Sequence, residues 1–185
     1  MLVTDVPAPP CAGSYCTVLA DPPWLERGGG KVKRGADRHY PLMSTSAIAA
    51  LPVVEWAAPD AHLYLWVTNN FLEDGLMVMR AWGFRYVSIL TWKKDRIGLG
   101  QYFRGNTEHC LFGVRGSLPY RITATGVRAQ GVTGFDAPRG KHSVKPEYLR
   151  LMAGVVSYEP RLELFARRPA PGWDVWGNEV VGATR

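Results

Sequence analysis

Apolar residues fall along the chain in short β-branched runs and in longer stretches with helical spacing. Thr17 to Ala20 (TVLA) predicts a buried strand. It stops at Asp21-Pro22-Pro23, a rigid turn, because Pro23 cannot donate to a sheet ladder. Ser44 to Val54 opens on hydroxyl caps and carries Ala47, Ile48 and Leu51 at helical spacing until Pro52, which predicts a short helix. His62 to Val67 (HLYLWV) predicts a second buried strand, and Thr68, Asn69 and Asn70 are caps for a helix over Phe71 to Trp82. Leu72, Leu76 and Met79 share one face of that helix, and Gly83 closes it. Tyr86 to Trp92 and Glu108 to Val114 predict two more strands, separated by a Gly-rich polar segment. Gly116 to Gly140 shows little periodicity and is expected to be a long loop, with a short hairpin at most. Pro146 then stands where a helix takes its first residue, and Tyr148, Leu149, Met152 and Val155 give an apolar stripe up to Val156. Arg161 to Ala166 (RLELFA) is the last expected strand. Apolar strands alternating with helices predict an α/β fold, a mainly parallel sheet with helices on both faces.

Composition narrows the class. The chain has 185 residues, 46% of them hydrophobic and 21% charged, which fits one globular domain and excludes wholesale disorder. No apolar run approaches the roughly 18 residues of a membrane span. The first ten residues lack a basic region and are broken by Pro7, Pro9 and Pro10, so no secretory signal is expected and a cytoplasmic location follows. Cys11, Cys16 and Cys110 are an odd set without zinc spacing, and no metal is expected. Lys and Arg number 22 against 16 Asp and Glu, a net charge of +6 that suits a polyanion. The charge is concentrated. Between Glu26 and His39 the chain reads ERGGGKVKRGADRH, and a second basic, Gly-rich stretch runs from Arg115 to Lys141. Both could track phosphates, and on charge alone both could equally be solvated loops.

The sharpest chemical signal is Asp21-Pro22-Pro23-Trp24 at the carboxyl end of the first strand, where open α/β sheets bind ligands. Two prolines remove two backbone donors, leaving the Asp21 and Pro22 carbonyls as acceptors beside a carboxylate and an indole. Such a corner accepts hydrogen bonds from an amino group and stacks a flat ring, and adenine offers both an exocyclic amine and a π face. Taken alone, the string reads more readily as a plain turn with a buried Trp.

These residues do not stand alone. ADPPW, then Tyr40-Pro41-Leu42-Met43, Leu51-Pro52, LYLWVTNN, WGFRYV, TWKK, EHCLFGVRG, HSVKPEYL, RLELFARR and WDVWGNE occur in one order from about Val18 to Val181. Together they resemble the MT-A family of adenine N6-methyltransferases. The resemblance implies a Rossmann-like fold and S-adenosylmethionine as cofactor. It makes Asp21, Pro22, Pro23 and Trp24 the catalytic motif, with Trp24 or a neighbour stacking on a flipped base. Asp21, Lys145, Arg167, Asn178 and Glu179 become the cofactor residues: Lys145 for the methionine carboxylate, Asn178 and Glu179 for the ribose hydroxyls, and Arg167 for the cofactor or for Asn178. Glu163 either pairs with Lys145 or simply sits in its strand.

The expected substrate side comprises Tyr40 with Lys31, Lys33, Arg34 and Arg38. The whole chain, 1–185, is then one catalytic domain, with 1–15 irregular and 25–40 and 116–140 as substrate-side loops. The expected partners are nucleic acid, DNA ahead of RNA, and a second copy of the chain in a homodimer, with no membrane. The expected reaction is methyl transfer to N6 of adenine in DNA. Transfer to RNA adenosine is the alternative, and an inactive nucleic-acid-binding subunit the second.

Overall fold

Among the described residues, seven strands form one sheet in the order β5-β3-β4-β2-β1-β6-β7. The computed structural model describes residues 7–25, 42–98, 102–118, 120–140 and 144–180. The strands are β1 (Tyr15–Ala20), β2 (Ala57–Val67), β3 (Arg85–Lys94), β4 (Thr107–Arg115), β5 (Gly134–Ala137), β6 (Arg161–Leu164) and β7 (Asp174–Trp176). β4 runs antiparallel to both its neighbours, β2 and β3, while every other adjacent pair is parallel. The sheet is therefore mainly parallel, as the runs of apolar residues predict.

Its two faces are covered by different helices. Val18, Leu63, Leu65, Leu111, Leu162 and Leu164 face a core shared with α1 (Thr45–Ala49), α2 (Val53–Trp56) and α3 (Leu72–Ala81). Leu19, Tyr64, Trp66, Leu90, Trp92 and Cys110 point the other way and pack on Leu149 and Ala153 of α4 (Glu147–Val156). The period-2 alternation of side chains thus divides each strand between two apolar layers. Among the described residues no helix is long and apolar enough to cross a membrane.

Several expected boundaries change, for local reasons. The helix expected over Ser44 to Val54 is two pieces, because Pro52 cannot donate a backbone hydrogen bond and the chain turns between Leu51 and Val53. Ser44 is the cap of α1, its Oγ accepting from the Ala47 N–H at 3.2 Å. Thr68 makes no side-chain cap bond to the 3-10 turn Asn69–Phe71, and the Asn69 Oδ1 instead meets His109 Nε2 at 2.7 Å.

β5 and β7 were not expected as strands. They are four and three residues long and lie at the two edges of the sheet, too short for a periodicity to register. The 116–140 stretch is accordingly not a single substrate-side loop. It leaves the end of β4 that lies opposite Asp21, crosses α4 where Arg121 Nη1 donates to the Gly154 carbonyl at 2.7 Å, and pairs with β3 as β5. Only its last residues, from Ala137 onward, reach the edge where Asp21 lies.

Candidate active site

The parallel strands β1, β6 and β7 end in one row, with Ala20 beside Leu164 and Leu164 beside Trp176. Asp21, the Phe165 to Arg168 segment and the Gly177 to Glu179 segment all emerge from that edge. Because β4 is reversed, its first residues, Thr107 and Glu108, arrive at the same edge. Leu19 and Cys110 face α4, so Asp21 and Glu108, each two residues away, point to that same side of the sheet.

Lys145, just before α4, meets them there. Its Nζ lies 2.8 Å from Asp21 Oδ1 and 2.9 Å from Oδ2, so it donates to both oxygens of one carboxylate. Glu108 Oε2 is 3.6 Å from the same Nζ, and Glu108 Oε1 accepts from Lys94 Nζ at 2.6 Å. Two ammonium groups and two carboxylates form a balanced chain. The Lys145 charge also sits 5.6 Å from the centre of the Trp66 ring, a cation–π distance. Burial alone would lower the Lys145 pKa, but Asp21 and Glu108 outweigh it and hold the ammonium above the usual lysine value.

The position of Lys145 is fixed by a second ionic cluster. Glu147, the first residue of α4, pairs with Arg150 and accepts from Arg168 Nη2 at 3.0 Å, which ties the helix start to the end of β6. Arg150 Nη1 also reaches Glu163 Oε2 at 3.0 Å. Glu163 therefore pairs with Arg150, not with Lys145, and its burial raises its pKa against the pull of that guanidinium. These groups and Asp21, Lys145, Trp66, Phe165 and Arg167 line one cleft.

The proline turn is less open than the motif suggests. The Pro22 carbonyl accepts from the Trp24 N–H at 2.9 Å, and the Pro23 carbonyl from the Met43 N–H at 2.8 Å. One lone pair of the Pro22 oxygen thus stays available, not two. Trp24 is 8% exposed. Its ring stacks on Phe71 with centroids 5.4 Å apart, and its Nε1 donates to the Trp66 carbonyl at 3.0 Å. The expected stacking of Trp24 on a base is corrected here: the indole is turned into the core, where it anchors the turn that carries Asp21. Trp24 and Met43 form a parallel bridge beside Asp21.

Beyond β6 and β7, Arg167 Nε lies 3.9 Å from Glu179 Oε1, so two of the expected cofactor residues are neighbours. Gly177 makes this possible. With φ of 155°, it passes so close to β6 that a Cβ would lie 3.0 Å from the Phe165 Cα. Phe165 itself has φ of 60°, a strained conformation for a bulky residue, at the lip of the cleft. Asn178 follows Gly177 on this same turn. Tyr40, Lys31, Lys33, Arg34 and Arg38 lie outside the described residues.

Sequence reasoning did not assign Glu108, Trp66 or Phe165. Glu108 and Trp66 lie inside quoted motifs, EHCLFGVRG and LYLWVTNN, and the missing signal for Glu108 was the direction of β4.

The MT-A70 family model matches residues 15–179. The chain is 29% identical to the type II methyltransferase M.MunI of Mycoplasma sp, with 90% of this chain and 78% of that protein aligned. It is 28% identical to the mouse (Mus musculus) N(6)-adenine-specific methyltransferase METTL4, over 92% of this chain and 38% of the relative. A probable N(6)-adenosine-methyltransferase MT-A70-like protein of Oryza sativa subsp. japonica is 30% identical over 92% of this chain and 24% of its own length. This chain thus spans most of M.MunI and well under half of the other two. From β1 through the turn after β7, the chain belongs to the MT-A70 family of adenine N6-methyltransferases.

Proposed function

We propose that the chain transfers a methyl group from S-adenosylmethionine to N6 of adenine in DNA. The observation that carries this reading is the Asp21 carboxylate, held by Lys145 at the cleft on a proline-fixed turn. Of the three relatives above, the one aligned over the largest share of its own length is a type II methyltransferase, and DNA is taken as the substrate on that similarity.

The cleft suits the cofactor by its charges. Lys145 offers an ammonium for a carboxylate, Glu163 offers a carboxylate for a cationic group, and Phe165 and Trp66 supply apolar walls. In this reading Lys145 and Arg167 hold the methionine end, and Asn178 and Glu179 hold the ribose diol. S-adenosylmethionine supplies an electrophilic methyl group there. The chain's own residues prepare the amine. The N6 lone pair of adenine is delocalised into its ring and is a weak nucleophile. The Asp21 carboxylate and the remaining Pro22 lone pair accept the two N6–H bonds, which draws the nitrogen toward tetrahedral geometry and localises its lone pair. The N6–H becomes acidic as the new C–N bond forms, and Asp21 holds that proton until water takes it. Trp24 fixes the turn from below.

Asp21 sits on a proline-fixed turn at the end of β1, so the base must come to it out of the stack. The basic 26–41 segment starts and ends at the Trp24–Met43 bridge, beside Asp21, which supports its assignment to flanking phosphates. The test is methylation of matched DNA and RNA oligonucleotide pools with labelled cofactor, followed by nucleoside analysis. N6-methyldeoxyadenosine is the expected product. N6-methyladenosine from the RNA pool alone would transfer the function to RNA, and no product from either would leave the inactive-subunit reading.

A further inference from the structure

The described parts of the connection between β3 and β4, 95–98 and 102–106, pair as the neck of an arm. The Lys94 N–H donates to the Asn106 carbonyl at 2.7 Å and the Gly98 N–H to the Gly105 carbonyl at 2.7 Å, continuing the pairing beyond both strands. A Cβ on Gly98 would lie 2.9 Å from the Gly105 oxygen, so the neck closes only around these glycines. Arg104 Nε fastens it by donating to the Gly98 carbonyl at 3.1 Å. Beyond the neck, Tyr102 is 93% and Phe103 is 90% exposed. Other large apolar residues are exposed too, but among the described residues none of them exceeds the 64% of Ile97, so two adjacent rings this far into water call for a partner.

The arm stands on the reactive edge. Its base residue Lys94 pairs with Glu108, which adjoins Lys145, which pairs with Asp21. Its flanks carry exposed cations: Lys93 and Arg96 precede the rings, 3.7 Å from Asp136 and 4.0 Å from Asp95 respectively, and Arg104 follows them. Rings between exposed cations match the flat faces and phosphates of a nucleic-acid strand. Two rings on a neck this narrow offer far less area than the roughly 1,200–2,000 Å² of a stable protein interface, which disfavours a second copy of the chain.

We propose that the described flanks of this connection, 95–98 and 102–106, read the nucleic acid by stacking, with Tyr102 and Phe103 packed on bases next to the target adenine. The proposal rests on the function given above and names how that site engages its substrate. Ring stacking carries no charge, so it adds affinity without adding to salt dependence, whereas phosphate contacts add both.

The experiment uses the full chain, a mixed-sequence DNA duplex and its separated strands, with fluorescence anisotropy over a salt series. Tyr102→Ala with Phe103→Ala should weaken Kd by about tenfold or more and leave the slope of log Kd against log salt unchanged. The exchanged pair Tyr102→Phe with Phe103→Tyr should keep the parent affinity, and the thermal shift with S-adenosylmethionine should be the same in all variants. Arg96→Gln should instead lower the salt slope by about 0.7 to 0.9. If the parent binds and methylates DNA while the double alanine variant binds as tightly, the arm is not a reader and the methyltransferase reading stands. If sedimentation shows a parent dimer that the double variant dissolves, the rings pack on a second copy and the proposal falls. A parent that neither binds nor methylates either probe overturns both.

Discussion

Replacing Lys145 by Met keeps an unbranched side chain, one atom shorter, and removes its charge. The ammonium donates to both oxygens of Asp21, at 2.8 and 2.9 Å, and lies 3.6 Å from Glu108, so its loss leaves two carboxylates facing each other across a partly buried cleft. Removing one partner from a buried ion pair costs about 2–5 kcal/mol. The Lys145 side chain is 20% exposed, so water screens part of this and the lower half of that range applies. A loss of about 2–3 kcal/mol lowers Tm by roughly 4–12 °C for a domain of this size. The assay is a double-mutant cycle of Lys145→Met with Asp21→Asn by chemical denaturation, and a coupling of about 1.5 kcal/mol or more is expected. The Lys145 pKa is raised in the folded chain, so its contribution is fully present below the unfolded value of about 10.4 and is lost as pH rises through the folded one. The stability gap between parent and Lys145→Met should therefore stay flat from about pH 7 to 9. Single effects that add within about 0.5 kcal/mol would show that the two groups do not interact, and the geometry assigned to the site would be wrong.

Trp24→Ala should cost about 3–5 kcal/mol of stability, as a buried indole removed from a core, measured by denaturation. A near-neutral effect would return the ring to a substrate role. His62 is buried, with Nδ1 2.8 Å from Ser157 Oγ, and its pKa is lowered, chiefly by burial. The unfolded chain then takes up a proton that the folded chain resists, so stability should fall as pH drops below about 6.5, and His62→Gln should flatten that slope. Stability rising over the same range would contradict it. Neutralising Lys31, Lys33 and Arg34 together should reduce the salt slope of DNA binding by about 2–3 and leave cofactor affinity unchanged. An unaltered slope would assign that stretch to solvent.

The legible parts of the fold are those with a long enough pattern. Five strand and three helix runs, from Thr17 to Ala20 through Arg161 to Ala166, carry apolar residues on both faces or on one helical stripe, and packing forces such runs inside. The edge strands β5 and β7 have no such pressure, and their pairing depends on neighbours far away in sequence. The site divides in the same way. Asp21 was readable because proline chemistry is local. Glu108 was not, because its place beside Lys145 depends on β4 running backwards between β2 and β3. Trp24 misled for a related reason: an aromatic after a turn suits a stacking platform or a core anchor equally, and only the bond to the Trp66 carbonyl and the Phe71 ring decides.

The central claim is that Asp21 acts on the adenine amine and that Lys145 serves the cofactor. The most direct measurement compares parent and Asp21→Asn for N6-methyldeoxyadenosine formed on DNA with labelled S-adenosylmethionine, alongside cofactor affinity by calorimetry. The account predicts that transfer is abolished while cofactor affinity holds or rises, because Lys145 is released from the carboxylate it now binds. Transfer at the parent rate, or transfer and cofactor binding lost together, would contradict it.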